Sequence, residues 1–239
     1  MPLSGQALNE ARVPTRLISR RNPVVYAVTK RIIAILFHAL ARVTVAQVGL
    51  IPRDGPFILA CNHLSLLDGP FVLAHTPRPL HALAAVQYRR APYGWLLRLL
   101  GAVFVHRERL DREALKQCLS ILAAGGVLAV AVEGTRSPTR TLAGGKNGVA
   151  WLASRAGVPI VPVALHGTER IASALGRLRR ADLELRFGAA IEPPGAPLTA
   201  AQLRDVTERL MHALADLLPS HYRGVYAPSS ADADAAKSD

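Results

Sequence analysis

The stretch that decides the fold is Phe57-Ile58-Leu59-Ala60-Cys61, followed at once by Asn62-His63-Leu64-Ser65-Leu66-Leu67-Asp68-Gly69-Pro70. A run of five apolar residues that ends at polar ones is typical of a buried strand. Proline is favoured at the first position of a helix, so Gly69-Pro70 predicts that a helix begins there. We therefore expect a strand, a turn and a helix, with His63 in the turn and Asp68 near the start of the helix.

Short apolar runs alternate with helical stretches along the rest of the chain. This alternation favours a layered α/β domain, and the length of 239 residues requires only one domain. We predict a single domain over residues 44–227, with a mixed central sheet flanked by helices. Thr199 and Gln202 form a capping-box pattern that marks the start of the last helix. The predicted strands are Thr44–Val48, Phe57–Cys61, His81–Val86, Ala102–His106, Val127–Val132, Ile160–Leu165 and Leu183–Phe187. The predicted helices are Pro70–His75, Pro92–Leu100, Asp111–Ala124, Asn147–Ala156 and Thr199–Leu218.

The first strongly apolar segment is Val24–Val43, which we expect to form an amphipathic helix. Its longest uncharged stretch, Ile32–Ala41, is shorter than the roughly 20 residues that cross a bilayer. At about 100° per residue, Arg31, His38 and Arg42 fall on one stripe of an otherwise mostly apolar helix. Such a helix can lie in the membrane interface with its basic stripe toward lipid phosphates, and packing on the protein's own core is the alternative.

The composition indicates an anionic partner. The formal net charge is +12, half of the residues are hydrophobic and the mean hydropathy is +0.22. Nucleic acid is disfavoured because the basic residues are spread among apolar runs, aromatic residues make up only 5% and zinc-finger spacing is absent. An anionic membrane surface fits this mixture better.

The expected location is the cytoplasmic face of the cell membrane, as a peripheral or monotopic protein. Cys61 and Cys118 lack the spacing of a disulfide framework or a zinc site, which favours a reducing compartment. Met1–Asn22 lacks the apolar centre of a secretory signal. We expect residues 1–43 to form a polar N-terminus and the interfacial helix, and residues 228–239 to form a disordered tail.

His63 and Asp68 are a candidate catalytic pair. A histidine titrates near neutrality and can accept a proton from an attacking hydroxyl. A carboxylate on its other nitrogen would fix the tautomer and stabilise the imidazolium that forms. The spacing alone is a weak signal, because Asp68 in a surface turn can simply cap a helix.

Two arginines follow predicted buried strands. Arg107 comes directly after the strand Ala102–His106, and Arg136 belongs to Glu133-Gly134-Thr135-Arg136-Ser137, which follows Val127–Val132. Ligands bind outside the carboxyl ends of strands in open α/β sheets, and two guanidinium groups can hold one phosphate. Each arginine alone would more commonly be a solvated surface charge. Their combination with the histidine motif favours an anion site.

The order of the motifs resembles the PlsC-type glycerolipid acyltransferases, the family of 1-acyl-sn-glycerol-3-phosphate acyltransferases. The resemblance runs from about Val43 to Gly167. It departs from the family at Ala131-Val132, where the family usually has Phe-Pro. This difference leaves the preferred head group of the acceptor open, but it removes no chemical group that the reaction needs. The matching motifs are Asn62-His63-x4-Asp68, Gly101-x-x-Phe104-Val105-x-Arg107, Glu133-Gly134-Thr135-Arg136-Ser137 and Val158-Pro159-Ile160-Val161-Pro162-Val163.

The resemblance implies transfer of an acyl group from acyl-CoA or acyl-carrier protein to the sn-2 hydroxyl of 1-acyl-glycerol 3-phosphate, giving phosphatidic acid. His63 would be the general base and Asp68 its orienting partner, without a cofactor or metal. Two other interpretations stay open: the same chemistry on glycerol 3-phosphate or another lysophospholipid, and a non-catalytic protein that binds anionic lipid. The implied substrate-binding residues are Asn62, Arg107, Glu133, Gly134, Thr135, Arg136, Ser137 and Lys146, and the implied acyl pocket is formed by Pro159, Val161 and Pro162.

Overall fold

Seven strands form one central sheet in the computed structural model, which describes residues 22–106, 108, 111–195 and 197–227. The strands are β1 (Ala41–Ala46), β2 (Phe57–Cys61), β3 (Leu80–Ala85), β4 (Val103–Val105), β5 (Val127–Ala131), β6 (Ile160–His166) and β7 (Ala181–Phe187). Their order across the sheet is β1-β7-β6-β2-β5-β3-β4. The neighbouring pairs are parallel except β6 and β7, so the predicted mixed sheet is confirmed.

Helices cover both faces of this sheet. The bounds are α1 (Pro23–Leu40), α2 (Asp68–His75), α3 (Gly94–Leu99), α4 (Arg112–Ala123), α5 (Gly148–Ala156), α6 (Ile171–Leu175) and α7 (Ala200–Leu217). α1, α2 and α6 lie on one face, and α4, α5 and α7 contribute to the hydrophobic cluster on the other face. α3 immediately precedes the edge strand β4.

The continuous apolar run of β2 is explained by burial on both faces. All five of its residues are buried, as is typical of a central parallel strand. Ile58 and Ala60 point into the cluster under α4, α5 and α7, while Phe57, Leu59 and Cys61 point into the cluster under α1 and α2. The strand therefore holds the turn after Cys61 rigidly between two packed layers.

The predicted strands are all present, with small shifts at their ends. α2 begins at Asp68, two residues before the predicted Pro70. The capping box of Thr199 and Gln202 is confirmed at the start of α7. The short helix α6 was not predicted. The predicted polar N-terminus and C-terminal tail lie outside the described residues, except for Asn22, which caps α1.

α1 packs on α2 with one side and leaves an apolar side exposed. The Phe37 and Phe71 rings lie 5.0 Å apart, and Lys30 Nζ donates a hydrogen bond to the Thr76 carbonyl. Large apolar side chains cover the outer side. The more exposed of these are Val24, Val28, Ile32, Ile35 and Leu36.

One prediction about α1 needs correction. Arg42 does not extend the basic stripe of the helix, because it lies in β1 and pairs with the exposed Asp182 at 3.1 Å. Arg31 and His38 remain exposed on the helix. By length and composition the 18 residues Pro23–Leu40, with a mean hydropathy of 1.5, could cross a membrane, although soluble core helices and signal sequences can pass the same test. The sequence prediction of an interfacial helix counted only the uncharged part, Ile32–Ala41.

Candidate active site

His63 and Asp68 meet at the carboxyl end of β2, as the sequence predicts. His63 Nδ1 lies 2.9 Å from Asp68 Oδ2. The His63 side chain is 15% exposed and that of Asp68 only 2% exposed. With Nδ1 hydrogen-bonded to the carboxylate, Nε2 is the nitrogen that can take a proton from a substrate.

Asp68 accepts three further hydrogen bonds. The backbone N–H groups of Leu64 and Ser65 donate to Oδ2 at 2.6 and 2.8 Å, and the Thr168 hydroxyl donates to Oδ1 at 2.5 Å. These donors surround both oxygens of Asp68, so a carboxylate fits this position. The amide nitrogen of an asparagine here would face other hydrogen-bond donors and could not accept from them. The contact of Thr168 with Asp68 was not predicted from the sequence.

The turn that carries Thr168 is tied to the C-terminal segment. Gly167 N–H donates to Glu169 Oε2 at 2.9 Å, and the Tyr222 hydroxyl donates to Glu169 Oε1 at 2.5 Å. Tyr222 in turn stacks on His166 at the end of β6, with ring centroids 5.0 Å apart. These residues support the Asp68 side of the pair from a region outside the four sequence motifs.

Asn62 supports the site from the interior. It is 0% exposed, its Nδ2 donates to the Leu165 carbonyl, and its Oδ1 accepts from the Leu165 N–H, both at 2.9 Å. Both polar atoms of the Asn62 side chain thus hydrogen-bond within the protein, and its predicted contact with substrate stays a prediction. The paired hydrogen bonds join the end of β2 to β6 and fix the backbone that carries His63.

Ser137 has a similar structural role. Its N–H donates to the His63 carbonyl at 2.9 Å, which joins the third motif to the first. Its hydroxyl stays within its own loop, where it hydrogen-bonds to the Thr139 hydroxyl and accepts from the Thr141 N–H. The residue is buried, and the predicted contact of Ser137 with substrate stays a prediction. The backbone hydrogen bond between Ser137 and His63 instead fixes the spacing of the two motifs.

Glu133 is buried directly behind the catalytic pair. It is 3% exposed, and its Oε1 lies 3.4 Å from the nitrogen of the His63 N–H, which donates to it. Burial raises the pKa of Glu133 to about 7, against hydrogen bonds from the backbone of His63 and Ala143 that lower it, and the charge of Asp68 adds to the rise. Glu133 therefore positions the His63 backbone from below the surface. The predicted contact of Glu133 with substrate stays a prediction.

This burial predicts a pH-dependent gain in stability for Glu133→Gln. Between about pH 4.5 and pH 7 the folded protein keeps the Glu133 proton that the unfolded chain has released, so the unfolding free energy of the wild type falls as pH rises. This decrease in the unfolding free energy is complete above pH 7 and is on the order of 3 kcal/mol. We expect the variant to exceed the wild type by up to this amount at pH 8 and to gain little at pH 4, measured by urea unfolding. The exposed Glu192→Gln is the control, and an equal gain at both pH values would contradict the prediction.

The remaining residues of the third motif line a polar cavity of about 510 Å³. Gly134, Thr135, Arg136 and Lys146 all face it, so the structure brings the predicted Lys146 to the same site as Arg136. Gly134 has φ +73°, and a Cβ there would lie 2.9 Å from Lys146 Cδ, so glycine permits this close approach. The cavity is also lined by Val86, Gln87, Tyr88, His106 and Glu108. Arg107 lies outside the described residues.

The residues of the fourth motif, for which an acyl pocket is predicted, lie at and just before β6. Val161 is 0% exposed within the core cluster under α1 and α2, and Pro162 is buried opposite Ala60 of β2. Pro159 precedes β6, where its carbonyl accepts a hydrogen bond from the Ile58 N–H at 3.0 Å. This motif builds the centre of the sheet, and the acyl pocket stays a prediction.

Comparison with known proteins finds acyltransferases similar to this chain. A family model described as Acyltransferase matches residues 42–166. A 1-acyl-sn-glycerol-3-phosphate acyltransferase of Chlamydomonas reinhardtii is 35% identical over 127 residues, which are 52% of this chain and 38% of that protein. A probable 1-acyl-sn-glycerol-3-phosphate acyltransferase of Mycoplasma pneumoniae is 30% identical over 150 residues, which are 59% of this chain and 56% of that protein. The chain thus matches about two fifths to three fifths of the length of these relatives.

The fold has a solved counterpart. The crystal structure of the 1-acyl-sn-glycerophosphate acyltransferase PlsC from Thermotoga maritima aligns with a TM-score of 0.65 and 26% identity, covering 81% of this chain and 79% of that chain. The family model covers more than half of the chain and includes the histidine and arginine motifs. From these matches, the chain belongs to the acyltransferase family.

Proposed function

We propose that this acyltransferase transfers a fatty acyl group to the sn-2 hydroxyl of a 1-acyl-glycerol 3-phosphate, giving phosphatidic acid. The observation that carries the proposal is the 2.9 Å contact of His63 with Asp68 beside a cavity that holds Arg136 and Lys146. A base and an anion site at one edge of a sheet suit a hydroxyl acceptor that carries a phosphate. The names of the relatives support this acceptor.

In the proposed mechanism, His63 Nε2 takes the proton of the acceptor hydroxyl as its oxygen attacks the thioester carbonyl. Asp68 stabilises the imidazolium that forms. The tetrahedral intermediate then expels the thiolate, which receives the proton from His63. The new ester and the free thiol are the products, so the scheme requires neither an acyl-enzyme nor a metal. The donor is acyl-CoA or acyl-carrier protein.

Arg136→Ala tests the acceptor site. We expect KM for 1-oleoyl-glycerol 3-phosphate to rise about 10- to 100-fold, because a guanidinium–phosphate contact is lost. With 1-oleoylglycerol, which lacks the phosphate, the slow rate should be the same in variant and wild type. Arg155→Ala on α5 removes an exposed arginine that does not line the cavity and is the matched control. An equal loss with both acceptors would overturn the assignment of Arg136 to the phosphate.

Thr168→Val tests the support of Asp68. The variant keeps the side-chain shape but removes the hydroxyl that donates to Asp68 Oδ1. We expect kcat to fall about 10- to 100-fold with KM values nearly unchanged, since a supporting hydrogen bond orients the catalytic pair. Thr168→Ser should restore the rate and the pH dependence of kcat. A loss that serine does not restore would indicate a packing effect instead.

We also propose that α1 lies on an anionic membrane surface at the cytoplasmic face of the cell membrane. Its outer side exposes Val28, Ile32 and Ile35, and Arg31 and His38 are exposed on the same helix. Apolar residues beside basic ones are typical of helices that bind the interface. Binding to neutral and anionic vesicles alike would contradict the role of the basic residues.

A further inference from the structure

A second cavity, of about 640 Å³, adjoins the cavity that holds Arg136. The two cavities share Val86, Gln87 and His106. The second one is otherwise lined by Arg89, Arg90 and Arg98, and no carboxylate among the described residues lines it. The charged residues that line the second cavity are therefore arginines. The first cavity contains the carboxylate of Glu108 as well as Arg136 and Lys146.

The three arginines come together because the turn Val86–Arg90 packs closely against α3. A Cβ on Gly94, the first residue of α3, would lie 2.4 Å from the Arg89 carbonyl oxygen, so only glycine allows this contact. Arg98 Nη2 donates a hydrogen bond to the same carbonyl at 3.0 Å. The contact of Gly94 and Arg98 with the Arg89 carbonyl thus fixes the backbone that carries the cluster.

Among the described residues that line these two cavities, the one carboxylate is that of Glu108, which lines the first cavity and not the one with the three arginines. In the part of the chain that the structure describes, Arg89, Arg90 and Arg98 make no ion pair with a carboxylate. Arg89, Arg90 and Arg98 are exposed, so solvent screens their mutual repulsion, and an anion between them would relieve it further. Their arrangement favours a ligand with several phosphate oxygens.

We propose that this cavity binds the phosphates of the acyl donor, and that the donor is a CoA thioester. The inference rests on the proposed function, in which the first cavity already holds the acceptor phosphate. CoA carries a 3′-phosphate and a pyrophosphate, and its long pantetheine arm can bring the thioester to the edge where His63 lies. The site is a concave cavity of small-molecule size, whereas an acidic carrier protein would need a broader contact surface.

The test uses full-length protein with His63→Ala, so that ligand binding is measured without turnover. Titration calorimetry with CoA is compared between this protein and one that also carries Arg89→Gln and Arg90→Gln. We expect the double substitution to weaken CoA binding at least about tenfold, because charge-assisted contacts to phosphate are lost. Arg155→Gln in the same background is the control, and dephospho-CoA should lose less affinity on substitution than CoA does. Thermal unfolding shows whether the variants remain folded.

Three results would overturn the inference. The first is CoA binding that is unchanged in the double variant. The second is a double variant that loses only its binding to phosphatidylglycerol vesicles, which would assign the arginines to the membrane surface. A higher KM for acyl-carrier protein, with CoA binding unaffected, would assign them to the carrier protein. Failure of the proposed function would give a different result. A wild type that binds CoA through these arginines but acylates no lysophospholipid would support the CoA site and contradict the proposed acceptor.

Discussion

His63→Ala is expected to lower kcat for acyl transfer by about 10³- to 10⁴-fold, because the variant loses the base that takes the hydroxyl proton. The KM for the acceptor should change little, since Arg136 and Lys146 line a different part of the site. The measurement is release of free CoA from oleoyl-CoA with 1-oleoyl-glycerol 3-phosphate in mixed micelles.

Two further variants make this result specific. Asp68→Asn keeps the shape of the side chain but places an amide among the donors from Leu64, Ser65 and Thr168, and we expect a loss of about 10²- to 10⁴-fold. His212→Ala removes an exposed histidine of α7 that lines neither cavity and should leave the rate unchanged. Normal turnover in His63→Ala would end the assignment of the base, and vesicle binding without transfer by the wild type would favour a lipid-binding protein.

The fold could be predicted from the sequence because its central strands are buried on both faces. The apolar runs Phe57–Cys61 and Val127–Val132, which contain β2 and β5, are short and end at polar residues, as is typical of buried parallel strands. The helix α6 was missed because its five residues are too few to show a helical period. It follows directly on a 3₁₀ turn at Thr168–Arg170, so its start also lacks a capping signal.

The catalytic pair was predictable because its members are five residues apart and share one turn. Its support was not predictable, because Thr168 lies 100 residues from Asp68 and Tyr222 lies 53 residues from Glu169. Contacts at such separations depend on how β6 and the C-terminal segment pack, and a single sequence carries no signal for them.

The motifs showed which segments form the site but not how each residue contributes. Asn62 and Ser137 occur beside reactive residues, yet both are buried and hydrogen-bonded to the backbone of the protein. Arg136 and Lys146, ten positions apart, line the same cavity, and Gly134 leaves room there for the Lys146 side chain. Burial distinguishes the two groups, and burial follows from packing rather than from local sequence.

Gly167→Ala is expected to destabilise the protein by more than about 3 kcal/mol, a loss typical of severe backbone clashes. Gly167 has φ +93°, which L-residues rarely adopt, and a Cβ there would lie 2.0 Å from the Asp182 carbonyl oxygen. That oxygen belongs to β7, which pairs with β6 up to His166, so the backbone cannot move away without breaking the ladder. The same displacement would carry Thr168 away from Asp68, so the folded fraction should also lose activity.

Gly157→Ala separates the clash from the cost of the backbone conformation. Gly157 has φ +65°, but a Cβ there would meet nothing within 4 Å. We expect it to lose only about 1 kcal/mol, the cost of placing alanine in the left-handed region. The free energies of unfolding in urea provide the comparison. Equal losses in the two variants would show that β7 yields to the added methyl group, and the Thr168 turn would then be more adaptable than its contacts indicate.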